Sequence, residues 1–278
     1  MKRRDTKSLR NTFVLPCVAA SFLLVAACSS SSDEETYVER PAEDFYSMGL
    51  NALSDNNYDA AVRNFDEVER QHPYSSWAPR AQLMAAYAHY REQDYDDAIL
   101  ALDRFIQLNP GHPNIDYAYY MKAICYYEQI SDVERDQSMT RQAMESLETV
   151  INRFPDSAYA RDAELKHDLA VDHLAGKHMS IGRYYLRRGE YLAAINRFQT
   201  VVRDYQTTSH VPEALHRLVE SYLALGVYDE AQSTAAVLGY NYPGSEWYID
   251  SYALLTGEDL RPERREGSWI SGVWDSVF

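Results

Sequence analysis

The sequence predicts an all-α solenoid of five helix pairs, about ten helices, and three observations carry that reading. Small and apolar residues recur in a frame of about 34 residues along most of the chain. A tyrosine stands three residues before the same small position in four of the five copies. The 278 residues include only 11 glycines and 10 prolines, too few turn-formers for an all-β fold, while 46% apolar residues exclude a disordered chain.

The frame opens at Ala42. Phe45, Met48, Gly49, Ala52, Ala61, Phe65, Val68 and Pro73 fall at positions 4, 7, 8, 11, 20, 24, 27 and 32, the tetratricopeptide spacing. A large residue at position 4 and a small one at 8 let two antiparallel helices approach, and proline at 32 ends the second. The second copy, from Pro79, places Ala86, Ala98, Leu102, Phe105 and Pro110 in the same slots. In the third, a first helix over 115–129 and a second carrying Ala143, Leu147, Val150 and Pro155 are separated by about eight polar residues, 131–138. The fourth has Gly182, Tyr185, Ala194, Phe198 and Val201, with Gln206 in the proline slot. Its first helix begins early, near Ala158, and runs to about Arg188. The fifth, from Pro212, has Leu215, Leu218, Tyr222, Ala231, Leu238 and Pro243. Tyr58, Tyr95, Tyr191 and Tyr228 mark the turn inside four pairs, each three residues before the position-20 alanine.

Residues 1–27 read as an address. Lys2, Arg3, Arg4, Lys7 and Arg10 precede an apolar run over 13–27, which is shorter than the ~20 residues that span a bilayer and contains Pro16. It closes on Val25, Ala26, Ala27 and Cys28, which resembles a bacterial lipobox. Cys28 is then the lipidated first residue of the mature chain; the competing reading is an ordinary secretory signal. With Cys17 removed and Cys28 acylated, Cys125 has no disulfide partner. Ser29 after the cysteine, where an Asp would favour the inner membrane, points to the outer membrane, with the body in the periplasm. Residues 28–41 form a flexible tether, 42–157 hold repeats one to three, 158–257 hold repeats four and five, and 258–278 are a charged linker and tail.

A net charge of −15 argues against nucleic acid as partner, since a phosphate backbone requires clustered Lys and Arg. No cofactor or metal is expected and no enzyme: there is no GxSxG and no P-loop. His167, His173 and His178 are spaced by six and five, so a helix spreads them over different faces. Asp168 and Asp172 share a face but read as solvated acids.

In a tetratricopeptide solenoid the first helix of each pair lines the concave face. That selects Arg80, Leu83, Tyr87 and Tyr90 in repeat two and Tyr117, Tyr120, Ile124 and Tyr127 in repeat three. Arg80 with the five tyrosines Tyr87, Tyr90, Tyr117, Tyr120 and Tyr127 is the expected groove for an extended peptide bearing aromatic side chains. Tyrosine offers a broad apolar face, a hydroxyl and little rotamer entropy to lose. The competing reading is that these rings are core, as expected for Tyr119 and Tyr126.

Two runs carry a sharper resemblance. Residues 103–117, DRFIQLNPGHPNIDY, with Tyr120 and Met121, and residues 184–191, YYLRRGEY, followed by Ala194, Ile195, Asn196 and Arg197, resemble the BamD family, lipoproteins of the bacterial β-barrel assembly machinery. The five repeats, the insertion in the third and the lipobox match in order, over about 28–257. The resemblance implies a scaffold that binds the periplasmic domains of the barrel-forming insertase through its C-terminal repeats. Its N-terminal repeats would meet unfolded outer-membrane proteins and accessory lipoproteins. Arg197, in the insertase-facing repeat, is the leading residue for an ion pair with that partner and is expected on the convex side or an edge of the stack. Arg187, Arg188 and Arg203 are its neighbours. The alternative is another tetratricopeptide lipoprotein, such as a secretin pilotin or a cell-wall enzyme activator.

The tail lies beyond the resemblance. Trp269, Ile270, Val273, Trp274, Val277 and Phe278 form one apolar helical stripe, expected to dock on a partner before membrane or the chain's own groove.

Overall fold

The computed structural model describes residues 40–257, in which eleven helices and no strand occur. The lipobox with Cys28 and the amphipathic tail lie outside the described residues. Five antiparallel pairs follow one another: α1 (Ala42–Ser54) with α2 (Tyr58–Gln71), α3 (Ala78–Glu92) with α4 (Tyr95–Leu108), α5 (Ile115–Glu128) with α6 (Ser138–Arg153), α7 (Ala160–Arg187) with α8 (Tyr191–Asp204), and α9 (Val211–Ala224) with α10 (Tyr228–Asn241). An eleventh, α11 (Glu246–Thr256), packs against α9 and α10. The fold is therefore the predicted tetratricopeptide solenoid, with one helix more than the frame counted.

The frame residues make the core. Ala61, Phe65 and Val68, Ala98, Leu102 and Phe105, Ala143, Leu147 and Val150, and Ala194, Phe198 and Val201 are each at most 1% exposed. The small residue at position 8 is a steric requirement: a Cβ on Gly49 would lie 2.5 Å from the Phe65 ring, and one on Gly182 2.4 Å from the Phe198 ring. The pairing tyrosine is the first residue of each second helix, and the residue two before it adopts a positive φ: Asn56, Gln93, Gly189 and Gly226. That left-handed residue ends the first helix and lets the chain reverse in two or three residues. Gln206 makes the turn that proline makes elsewhere, its Nε2 donating to the Arg203 carbonyl at 3.2 Å.

Repeat three departs from this pattern as expected. In place of a left-handed turn it carries an inserted loop, residues 129–137, stapled from within. The Gln137 side-chain amide, 4% exposed, donates to the carbonyls of Asp132, Val133 and Arg135, while its oxygen accepts from Thr140 Oγ1 at 2.9 Å. Helix α7, 28 residues long, runs past this loop. Ala163 in its first half packs with Ala123, Leu147 and Val150 of repeat three, and Ala175 and Met179 in its second half pack with Phe198 and Val201 of repeat four.

Helix α11 is fastened by a polar contact. His216 Nδ1 and Ser251 Oγ lie 2.8 Å apart, both buried, with Trp247 stacked on the His216 ring at 5.3 Å. A Cβ on Gly239 would meet the Tyr248 ring at 2.4 Å, so α11 seats on the same glycine-to-ring device as the repeats. Burial holds the His216 imidazole below its ordinary value of 6.5, and burial together with the nearby Arg197 charge does the same for His178. Both are depressed in the folded state, so their stabilising contribution is complete above pH 6.5 and is lost as pH falls through their folded values. The thermal midpoint should be flat from pH 8 to 7 and fall between 6.5 and 5.5; a midpoint constant over the lower window would contradict this.

Candidate protein-binding site

Helices α3, α5 and α7, the first members of their pairs, are neighbours and carry a ladder of aromatic rings. Tyr87 and Tyr90 lie 6.5 Å apart on α3, and Tyr120 of α5 stacks on Tyr159 at 4.9 Å with an interplanar angle of 18°. Tyr117 meets the same Tyr159 ring at 5.4 Å. All five are half-buried. Burial raises the hydroxyls of Tyr117 and Tyr120 well above the ordinary value of 10, with further contributions from the neighbouring tyrosines and, for Tyr120, from Asp162. The hydroxyls are thus neutral donors at any physiological pH.

Polar partners fix the rings. Tyr120 donates to Asp162 Oδ2, which also accepts from Lys166 Nζ at 2.7 Å, and Lys166 Nζ sits 5.8 Å from the Tyr127 ring centroid. The Tyr87 hydroxyl accepts from Arg91 Nη1 at 2.9 Å. The structure therefore brings Tyr87, Tyr90, Tyr117, Tyr120 and Tyr127 onto one connected surface. Arg80 is elsewhere: its guanidinium lies 5.4 Å from the Trp77 ring, which packs on Tyr46 of repeat one at 4.9 Å. Leu83 and Ile124, each 6% exposed, form the floor beneath the rings instead of lining the groove. Tyr119 and Tyr126 are half-buried edge residues, Tyr119 accepting from Arg153 Nη1 at 2.6 Å. Tyr159, Asp162 and Lys166 were not foreseen.

Arg197, expected on the convex side or an edge of the stack, lies on the second helix α8. It is half-buried and lines a cavity of about 610 Å³ between α7, α8 and the repeat-three loop. Arg135, Arg141 and Lys177 line the same cavity, and among the described residues none of these four cations forms an ion pair with a carboxylate. His178 and Tyr205 complete the wall, their rings 5.6 Å apart, and the His178 Nδ1 is buried without a hydrogen-bond partner among the described residues. The other three arginines are dispersed. Arg187 is exposed at the end of α7, Arg188 donates to the Tyr184 hydroxyl at 3.0 Å, and Arg203 is paired with Asp204 at 2.7 Å.

Elsewhere, His89, Asp94 and Asp97 bring metal-ligand atoms within 4.8 Å of one another at the turn between α3 and α4, with both acids exposed. Cys125 is fully buried, and desolvation pushes its thiol up to about 12, which leaves no reactive thiolate. Among the described residues no helix is long and apolar enough to cross a membrane.

Comparison with known proteins fixes the family. The outer membrane lipoprotein family YfiO matches residues 38–238. The outer membrane protein assembly factor BamD of Caulobacter vibrioides is 53% identical over 253 residues, covering 89% of this chain and 83% of that protein. BamD of Rickettsia prowazekii is 44% identical, covering 89% of this chain and 98% of its own length, and that of Neisseria meningitidis serogroup A is 34% identical over 83% and 91%. Among solved structures, a thermophilic tetratricopeptide protein of Thermus thermophilus aligns at 20% identity with a TM-score of 0.36, over 77% of this chain and 99% of that one. With the lipoprotein family reaching from the first repeat into the second helix of the fifth and relatives matched over most of their length, the chain belongs to the BamD family of outer membrane protein assembly factors.

Proposed function

We propose that this chain is a non-enzymatic scaffold, anchored through lipidated Cys28 to the periplasmic face of the outer membrane, that joins unfolded outer-membrane proteins to the barrel-forming insertase. The single observation that carries the reading is the aromatic ladder from Tyr87 to Tyr127, half-buried and fixed by polar partners. Stacked, pre-positioned rings bind an extended peptide with little ordering of the site itself. The cation-lined cavity around Arg197 supports the second half of the reading, a carboxylate-bearing surface of the insertase's periplasmic domains at repeats three to five. Accessory lipoproteins are expected on the N-terminal repeats.

Two measurements test this. Protein extracted from membranes should retain the insertase in stoichiometric amount; recovery of a secretin or a cell-wall synthase in its place would overturn the assignment. Photocrosslinking groups at Tyr87, Tyr120 and Tyr127 should label C-terminal peptides of outer-membrane proteins, which commonly end in an aromatic residue. Labelling confined to Glu67 and Arg104, on the second helices α2 and α4, would place the substrate on the convex face.

A further inference from the structure

At the Tyr127 end the ladder opens into the largest cavity described, about 1030 Å³, bounded by the repeat-three loop, the middle of α7 and the start of α9. Its wall is amphipathic. Tyr127, Ile130, Val133 and Leu169 supply apolar surface, and Leu169 is 59% exposed. The charges are unevenly matched. Arg183 is held by Glu213 at 3.0 Å, and His210 Nε2 lies 3.5 Å from Asp172, so Arg183 already has its carboxylate and Asp172 has a neighbour. Lys166, at the entrance beside Tyr127, is held by Asp162.

The remaining acids are unmatched. Among the described residues the Asp132 carboxylate accepts only the Glu134 backbone N–H, and the carboxylates of Glu128 and Glu134 make no ion pair or hydrogen bond. Glu128 also reaches the ladder electrically, since its charge helps raise the hydroxyls of Tyr90 and Tyr95 after the larger effect of burial. Glu128, Asp132 and Glu134 border this cavity, while Arg135, Arg141, Lys177 and Arg197 line the other one together with Asp136 and with Glu134, which borders both. His173 belongs to the wall, and its Nε2 is buried without a hydrogen-bond partner among the described residues.

We propose that this cavity is a second subsite of the peptide groove, selecting a lysine or arginine side chain on the same extended segment whose aromatic side chain rests on the ladder. The inference rests on the reading of the ladder as a peptide site. Its spacing follows from the helix. Tyr120 and Tyr127 are two turns apart on α5, about 10.5 Å at 1.5 Å per residue. A peptide in the extended polyproline II form advances about 3.1 Å per residue and turns the same face to the groove every third residue, so the two selected side chains lie about three residues apart. A long cationic side chain suits the wall, because its methylenes cover Ile130 and Leu169 while its head meets the carboxylates. The site is wide and wet, so the contribution is selectivity between charges, screened by salt.

The test uses fluorescence anisotropy with four synthetic peptides at low ionic strength: aromatic with Lys three residues away, aromatic with Glu, aromatic with Ala, and Ala with Lys. The full chain should bind the aromatic–Lys peptide about tenfold more tightly than the aromatic–Glu peptide, and added salt should narrow the gap. In Glu128→Gln/Glu134→Gln, both exposed positions with no structural bond to break, the preference should shrink to within about twofold while the aromatic–Ala peptide binds as before. Aromatic-dependent binding with no preference between Lys and Glu would overturn the cationic subsite and leave the ladder standing. Absence of any aromatic dependence would overturn both.

Discussion

Arg197→Glu should abolish stoichiometric recovery of the insertase while leaving helical content unchanged. Arg197 lies in a cavity lined by Arg135, Arg141 and Lys177 as well as by Glu134 and Asp136, so a glutamate there still meets more cations than carboxylates and should be tolerated by the fold. The same reversal places a negative charge where a partner carboxylate would have to sit. Truncating one member of a desolvated, hydrogen-bonded charge pair typically costs about 2–5 kcal/mol, and reversing it adds repulsion. At about 1.4 kcal/mol per tenfold, recovery should fall well beyond tenfold. Arg197→Lys should fall between, since it keeps the charge and loses the planar fork. Unaltered recovery of the glutamate variant would show that the cavity holds no partner carboxylate.

Phe198→Ala should be the most damaging single core substitution in repeat four, at about 3–5 kcal/mol. The ring is fully buried and fills the space left by Gly182, so its removal opens a void that two rigid helix backbones cannot close. Gly182→Ala tests the same contact from the other side. Alanine is the better helix former by about 1 kcal/mol, yet its Cβ would lie 2.4 Å from the ring. Overpacking of this kind typically costs 1–3 kcal/mol and should outweigh the propensity gain. The double variant Gly182→Ala/Phe198→Leu should lose less than the sum of Gly182→Ala and Phe198→Leu, because the smaller side chain makes room for the methyl. Strict additivity in chemical denaturation would mean that the two side chains do not share this space.

The repeats were legible because tetratricopeptide cores are built from contacts within one frame: Phe65 needs Gly49, Phe198 needs Gly182, and both members sit at fixed offsets. The insertion in repeat three and the long helix of repeat four were legible as departures from the same frame. Helix α11 was not, since it follows the last proline slot, and only Ser245, whose side chain caps it, and Gly257 mark its ends. The tyrosines of α3 and α5 could be found because concave positions recur at known offsets. Tyr159, Asp162 and Lys166 escaped because they belong to the early extension of α7, which the frame does not number. Arg197 was picked out by resemblance; the cavity it shares with the repeat-three loop was not legible, because contact between repeats leaves no periodic trace.

Helix α7 has a consequence for how the molecule divides. At 28 residues it spans about 42 Å and belongs to two repeats at once, carrying Asp162 and Lys166 near one end and Lys177 and His178 beside the Arg197 cavity. A chain cut between 157 and 158 would leave Ala123, Leu147 and Val150 without the Ala163 face that covers them. The two halves are therefore not separable modules: neither could be expressed, exchanged or lost alone without exposing the other's interior. The end that carries Asp162 and Lys166 is joined to the Arg197 cavity by one continuous helix, without a hinge between them.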